Sequence, residues 1–437
     1  MLQKVCFCIK AVLDYKQKRC YNEINGGDEM KILNFGSCNI DYVYSLDHIV
    51  REGETATTYK LETFPGGKGL NQSIAISRAG APVWHAGCIS EDGEMLLKFL
   101  RESGVRTEYI RCVDEKNGHA IIQLGKNGDN SIFIYPGSNA CVTKELVDRV
   151  LESFGEGDIV LLQNEISNVD YIIERAYRKG MQIIFNPSPI DDTVGALDLN
   201  MISYLILNEV EAREISGCEG TEECLMFFKE NYPELKVMLT LGKRGSVYVD
   251  GEREIRQPAF SVDVVDTTAA GDTFTGYFVA ELSKGTDYPE TLRLASAASA
   301  IAVSRMGAAP SIPGRTETLE ILKRLKASDS NKRALMRERI EGYIDANIKT
   351  ATLGELAQLF NYSSVYTGSM VKRLTGRSFS KLLQSKRIAL AAELLLNTDM
   401  SVSEIINRIG YENETFFRKI FKEKYGRAPL EFRKRGK

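Results

Sequence analysis

Val265-Asp266-Thr267-Thr268-Ala269-Ala270-Gly271-Asp272-Thr273-Phe274 runs straight into the helical pattern TFTGYFVAELSKG, residues 273–285. Small residues at the start of a helix let a phosphate approach bare N–H groups at the positive end of the dipole. A carboxylate there suits the removal of a proton from an attacking hydroxyl, because phosphoryl transfer asks mainly for positioning, charge stabilisation and a base. It equally suits a plain helix cap. The segment alone leaves both readings of Asp272 standing.

Outward from this junction, between Lys31 and about Ala327, apolar β-type runs alternate with helical patterns. KILNFGSCNID, PVWHAGCIS, DIVLLQN, QIIFNPSP, YLILN and KVMLTLG read as strands; NQSIAISRAG, EMLLKFLRESG and YIIERAYRKG read as helices between them. That alternation predicts an α/β domain with a mostly parallel sheet. AIIQL and SIFIYP, on either side of Lys126-Asn127-Gly128-Asp129, predict a hairpin. ASDSNKR, residues 327–333, breaks both patterns and reads as a linker, after which the chain is helical throughout. The expected division is an α/β domain over 30–326, the linker over 327–333 and an all-α domain over 334–437.

A second helix opens at Pro65-Gly66-Gly67-Lys68-Gly69-Leu70-Asn71-Gln72. It is not a Walker A loop, since Lys68 is followed by Gly rather than Ser or Thr. Asn39 and Asp41 are expected to close the first strand, where ligands gather in open α/β sheets. With Asn71 they suit several sugar hydroxyls at once, although each by itself is more often a turn or cap residue.

Taken in order, Gly36-Ser37-Cys38-Asn39-Ile40-Asp41, GGKGLNQ at 66–72, Asn186-Pro187-Ser188-Pro189, Asn208-Glu209-Val210-Glu211, Thr240-Leu241-Gly242-Lys243-Arg244-Gly245, DTTAAGD at 266–272 and Gly307-Ala308-Ala309-Pro310-Ser311 resemble the ribokinase branch of the PfkB carbohydrate kinases. The resemblance covers about residues 31–326 and implies a ribokinase-like sandwich with a small β lid. It implies that Asp272 is the base, with Ala269, Ala270 and Gly271 forming an anion hole. It places Asn39, Asp41, Gly67, Lys68, Asn71 and Glu165 on the sugar and Glu54 to Gly66 in the lid. Asn208, Thr240 to Gly245 (Gly242 among them) and Ser296 fall on ATP, with Glu211 helping to place Mg2+. Asp266, Thr268, Ala302, Arg305, Gly307 and Ser311 match a monovalent-cation loop, which implies activation by K+. Asn39 and Asp41 with the GGKG pattern favour ribose; a nucleoside or another pentose remains open, because one hydroxyl contact decides specificity. A homodimer is the oligomeric state that the resemblance suggests.

Beyond Leu335 two similar units appear: Leu353–Phe360, a turn at Asn361-Tyr362-Ser363 and Ser364–Leu374; then Val402–Gly410, a turn and Glu414–Tyr425. Each reads as two short amphipathic helices about a tight turn, a helix-turn-helix pattern. Ser380–Asn397 reads as one connecting helix, about 27 Å long at ~1.5 Å per residue. That approaches the ~34 Å between successive major-groove faces, so one chain would dock both units side by side. The spacing Arg387-Ile388-x-x-Ala391, Gly410-Tyr411 with Phe417 and Phe421-Lys422, and Gly426-x-x-Pro429-x-x-x-Arg433 resembles the AraC-type regulators, which implies binding of double-stranded DNA. Glu414, Thr415, Arg418 and Lys419 of the second unit suit base edges. In the first unit the corresponding positions fall on Val365, Gly368 and Ser369, so Lys372 and Arg373 are expected to hold phosphates while the second unit carries most specificity.

The charge supports two partners. Of 56 basic and 59 acidic residues, 21 and 11 lie from Asn331 onward, a net of +10 that leaves −13 on the first 330 residues. The opposite reading of the basic half is a helical cap with a merely solvated surface, which leaves the paired turns unexplained. Nine cysteines, an odd number without zinc spacing, read as free cytosolic thiols. No apolar run approaches the ~20 residues of a membrane span, and the amino terminus lacks a signal-peptide cleavage site; a cytoplasmic protein without a membrane partner is expected. Residues 1–29 fit neither domain and are expected to be a non-native or disordered extension before a natural start at Met30. The whole then reads as an ATP-dependent sugar kinase, D-ribose to ribose 5-phosphate first, joined to a transcription regulator. The rivals are a sugar-sensing regulator with little or no kinase activity and a metabolic kinase whose tail no longer binds DNA.

Overall fold

The computed structural model describes residues 30–436, so the expectations for residues 1–29 lie outside the described residues. The chain divides into two compact units, residues 1–322 and 323–437.

In the first unit, strands β1 (Ile32–Phe35), β2 (Asn39–Leu46), β3 (Lys60–Gly66), β4 (Val83–Ile89), β5 (Arg106–Cys112), β6 (His119–Gly125), β7 (Asn130–Tyr135), β8 (Ile159–Gln163), β9 (Gln182–Asn186), β10 (Tyr204–Asn208), β11 (Lys236–Thr240), β12 (Ser246–Val249) and β13 (Glu254–Gln257) form two sheets. The larger has nine strands in the order β13-β12-β11-β10-β9-β8-β1-β4-β5. It is parallel from β11 to β5, and β12 and β13 add an antiparallel edge. The parallel strands read as unbroken apolar runs because helices cover both faces. Leu33 and Phe35 of β1 enter one core with Val160 and Leu162, while Ile32 enters the other with Ile159, Leu161 and Phe278.

The strand order reverses at β1: β4 and β5 follow on one side, β8 to β11 on the other. Ligand clefts form at such a switch point, outside the carboxyl ends of the strands. β8, β9, β10 and β11 end there at Gln163, Asn186, Asn208 and Thr240.

The stretch KILNFGSCNID is two strands rather than one, so Asn39 and Asp41 do not close the first strand but open the second. Gly36 separates them because the chain turns there against the GGKG loop: a Cβ on Gly36 would meet the Gly69 Cα at 2.5 Å. β2 then belongs to the small sheet β3-β2-β6-β7, in which β6 and β7 are the hairpin read from the sequence. Residues 54–59, expected in the lid with β3, are irregular.

The segment 327–333 is not an irregular linker: a single helix runs from Arg315 to Ala346. ASDSNKR holds no Gly or Pro, and Ser, Asp and Asn are only weak helix formers rather than breakers. In the second unit six further helices follow, Leu353–Leu359, Ser364–Thr375, Phe379–Asn397, Val402–Arg408, Glu414–Tyr425 and Pro429–Gly436. The first helix-turn-helix packs around Ile340, Leu356, Met370 and Val371, the second around Ile405, Ile409, Phe417 and Phe421. Arg387, on the connecting helix, joins them: its Nε donates to the Ile348 carbonyl at 2.9 Å and its guanidinium lies 5.7 Å from the Tyr411 ring. Among the described residues no helix is long and apolar enough to cross a membrane, and Cys38, Cys88, Cys112, Cys141, Cys218 and Cys224 are free.

Candidate active site and nucleic-acid interface

A cavity of about 300 Å³ opens at the carboxyl ends of the strands, lined among others by Asn39, Asp41, Gly67, Lys68, Asn71, Glu165, Asn208, Glu211, Thr240 and the loop Thr267 to Asp272. Asp272 sits in the first turn of the helix Ala270–Ser283, after Ala269 in a left-handed conformation at φ 59°. Asp272 caps nothing. Its Oδ2 accepts from Asn71 Nδ2 and its Oδ1 from Gln72 Nε2, each at 2.9 Å. Burial pushes its carboxyl up to about 6, against the lowering pull of Lys68 and of the Gln72 and Asn71 hydrogen bonds. The group is therefore a fixed carboxylate that gains a proton just below neutrality.

Across the cavity, Lys68 Nζ meets Glu165 Oε1 at 2.9 Å, and the Lys68 backbone N–H donates to Glu165 Oε2 at 3.0 Å. The Ser37 hydroxyl donates to the same carboxylate. Burial pulls the Lys68 ammonium down, but the Glu165 and Asp272 charges outweigh it and its pKa is raised. Asp41 is pushed up to about 7 by burial, then by the charges of Glu165 and Asp272. Asn39 is buried, and its side-chain Oδ1 accepts from Asn139 Nδ2 at 2.7 Å.

Beneath the cavity lies a row of amides. Gln72 Oε1 accepts from Gln163 Nε2 at 2.7 Å, and that nitrogen also reaches Asn34 Oδ1 at 3.0 Å; Gln72 Nε2 reaches Asn186 Oδ1 at 3.1 Å. Gln72, Gln163, Ser37 and Asn139 were not singled out from the sequence. Gln163 carries a signal that was available, as the one polar residue closing the buried strand Ile159–Gln163.

On the nucleotide side, Asn208 and Glu211 form a capping box: Asn208 Oδ1 accepts from the Glu211 N–H at 3.0 Å, and Glu211 Oε2 accepts from the Asn208 N–H at 2.9 Å. Burial raises the Glu211 carboxyl. Of the expected nucleotide residues, Ser296 and those from Leu241 to Gly245 stand outside the cavity lining. Ser296 is buried within the helix Tyr288–Val303, and Gly242 and Gly245 lie in the turn between β11 and β12. Gly245 has φ 100°, and a Cβ there would meet the Gln257 carbonyl at 2.0 Å. In the loop assigned to a cation, Asp266 accepts from Thr268 N at 2.9 Å, Thr268 Oγ1 at 2.6 Å and Gly307 N at 3.0 Å, tying the two loops together. Arg305 pairs with Glu317, Ser311 donates to the Ala308 carbonyl at 2.7 Å, and Ala302 is buried.

The two recognition helices, Ser364–Thr375 and Glu414–Tyr425, have equal length. Each is capped by a side chain, Ser363 or Asn413, and ends at a left-handed glycine, Gly376 or Gly426. Thr367 and Val371 take the buried places that Phe417 and Phe421 take in the second. Glu414, Thr415, Lys419, Ser369, Lys372 and Arg373 are exposed and Arg418 half-buried. Arg418 Nε donates to Glu414 Oε1 at 2.8 Å.

Residues 30–315 match the family described as pfkB family carbohydrate kinase, and residues 356–435 match one described as a helix-turn-helix domain. The ribokinase of Haemophilus influenzae is 36% identical over 298 residues, covering 66% of this chain and 96% of that protein. The ribokinase of Bacillus subtilis is 36% identical over 292 residues, covering 66% and 97%. A solved structure of Arabidopsis thaliana ribokinase complexed with ribose and ATP aligns with a TM-score of 0.61 at 31% identity, over 68% of this chain and 99% of that one.

Proposed function

Because the chain belongs to the pfkB family of carbohydrate kinases and carries a helix-turn-helix domain behind it, we propose that it transfers phosphate from ATP to the primary hydroxyl of a pentose, D-ribose first, with Asp272 as general base, and that its second unit binds double-stranded DNA to regulate transcription. The observation that carries the catalytic half is the Asp272 carboxylate, pinned by Asn71 and Gln72 inside the cavity that Asn39 and Asp41 share.

In this reading Asn39, Asp41, Gly67, Lys68, Asn71 and Glu165 hold the sugar hydroxyls so that the primary one meets Asp272. Asp272 takes its proton as the oxygen attacks. The positive end of the helix Ala270–Ser283, with Ala269, Ala270 and Gly271 as small residues around it, stabilises the transferring phosphoryl group. Asn208, Thr240, Gly242, Gly245 and Ser296 serve ATP. Mg2+ takes one or two carboxylates and otherwise water and phosphate oxygens, and the Glu211 carboxylate on the nucleotide side of the cleft suits it. When bound it neutralises phosphate charge. K+ activation rests on the resemblance of Asp266, Thr268, Ala302, Arg305, Gly307 and Ser311 to a monovalent-cation loop, and Asp266 supports it by tying Thr268 and Gly307 together.

On strand β7 Ile132 and Ile134 line the cavity, while Phe133 and Tyr135, 54 and 45% exposed, alternate onto the other face; exposed aromatic side chains there support a homodimer. A cytoplasmic setting, with pentose, ATP and DNA at hand, is part of the same proposal. The test is sugar-dependent ADP release over a panel of pentoses and nucleosides, with and without K+. Fastest release with ribose, rising with K+, is expected. No release with any sugar leaves a sensor rather than a kinase. For the second unit, retardation of the gene's own upstream DNA at low salt is expected, and its absence removes the regulatory half.

A further inference from the structure

The two recognition helices can be compared position by position, because both begin at a capping residue and run for 12 residues. Counted from Ser363 and Asn413, Val365 corresponds to Thr415, Gly368 to Arg418 and Ser369 to Lys419. Residues spaced three and four apart share one face of a helix. On the second helix that face carries Glu414, Arg418 and Lys419. On the first it carries no charge and no amide before Lys372.

What the first helix offers instead is hydrocarbon. Val365 is 82% exposed, more than any other large apolar side chain among the described residues. Beside it Tyr362 and Tyr366, each 47% exposed, meet edge to face at 4.8 Å. This apolar shoulder is followed on the same helix by exposed Lys372 and Arg373, which complement a phosphate backbone. In the major groove guanine is read by Arg or Lys, adenine by Asn or Gln, and cytosine by an acidic acceptor; thymine alone presents a methyl group. Only the last of these finds its complement on Val365.

We propose that the first helix-turn-helix reads the 5-methyl groups of thymine through Val365, with Tyr366 flanking it, so that the DNA site is asymmetric: a thymine-bearing half under the first unit and a half containing G·C pairs under Arg418 and Glu414. This rests on the DNA-binding reading given above and refines it. Lys372 and Arg373 fix the register on phosphates, and the methyl contacts add sequence preference where the helix has no charged or amide reader.

The test starts with the intact chain and a pool of random duplexes at low salt. A selected motif should have two unlike halves about one helical turn, ~10 base pairs, apart. Each thymine of the first half is then replaced by uracil, which removes the methyl and nothing else. Affinity should fall about three- to fivefold at the contacted position, the worth of one buried methyl-sized group. Val365→Ala should cause a similar loss on thymine DNA and none on the uracil duplex, with the salt dependence unchanged. Lys372→Ala, by contrast, should flatten the salt dependence by about one unit of slope. Uracil without effect anywhere in the first half, or losses from uracil and Val365→Ala that simply add, overturns the inference while DNA binding stands. No enriched duplex at all overturns the DNA-binding reading and this inference with it. Val365 is exposed, so its truncation leaves the fold in place.

Discussion

In the sugar cleft, the groups proposed to act are buried and held from far along the chain: Asp272 by Asn71 and Gln72 some 200 positions away, Lys68 by Glu165 at a separation of 97. On the recognition helices the groups proposed to act are exposed or half-buried, and Arg418 pairs with Glu414, four positions back. The first arrangement is preorganised for a charge that develops at one point. The second has to adapt to a partner it meets in solution, so its side chains remain free to rearrange. Changes in the cleft should therefore be large, sensitive to pH and indifferent to salt, while changes on the helices should be moderate and, where phosphates are involved, sensitive to salt.

The sharpest contrast comes from Asp272→Asn, which should lower turnover by ~10²–10⁴, the usual worth of a positioned base, while calorimetric sugar binding largely survives. Unchanged turnover removes Asp272 from the role. Next, Arg418→Ala should cost about 1–3 kcal/mol on a selected duplex and much less on random DNA; an equal loss on both would mean that it reads only phosphate. Gln72→Leu should lower kcat about tenfold, one hydrogen bond to a charged group, with KM nearly unchanged. Its acid limb should also move upward, because the Asp272 carboxylate loses a donor. A shift in stability alone would make Gln72 merely structural.

The smallest effect concerns stability. The Asp41 carboxyl is pushed from 3.8 to about 7 on folding, so the protein loses stability as pH rises through that window and has lost all of that contribution above it. Asp41→Asn is free of this loss. Its melting temperature should match the parent near the lower end of the window and exceed it by a few degrees, on the order of 3–6 °C, at pH 8. Equal melting temperatures across the range would break the contrast between a strained cleft and relaxed helices.

The same contrast explains what could be read from the sequence. The loop to Asp272, the GGKG helix and the paired turns are local patterns, so their residues are legible by spacing. The Gln72–Gln163–Asn34 row is not, because its contacts join residues 91 and 129 positions apart. Ser37 and Asn139 were missed for the same reason: each acts through a partner from another strand or loop. The errors in the fold were local ones. Gly36 looked like a strand residue until its approach to Gly69 turned the chain, and a polar run without breakers looked like a linker although nothing in it ends a helix. Val365 is legible from spacing as the counterpart of Thr415, whereas its 82% exposure beside Tyr362 and Tyr366 is a property of the folded turn.

The central claim is that a buried carboxylate, rather than solvent, takes the proton from the sugar. It is tested most directly by kcat/KM for ribose phosphorylation by the intact chain between pH 5 and 9. The account predicts a plateau above neutrality and a fall of one decade per pH unit below about 6, where Asp272 gains its proton. A rate that stays level down to pH 5 would contradict it.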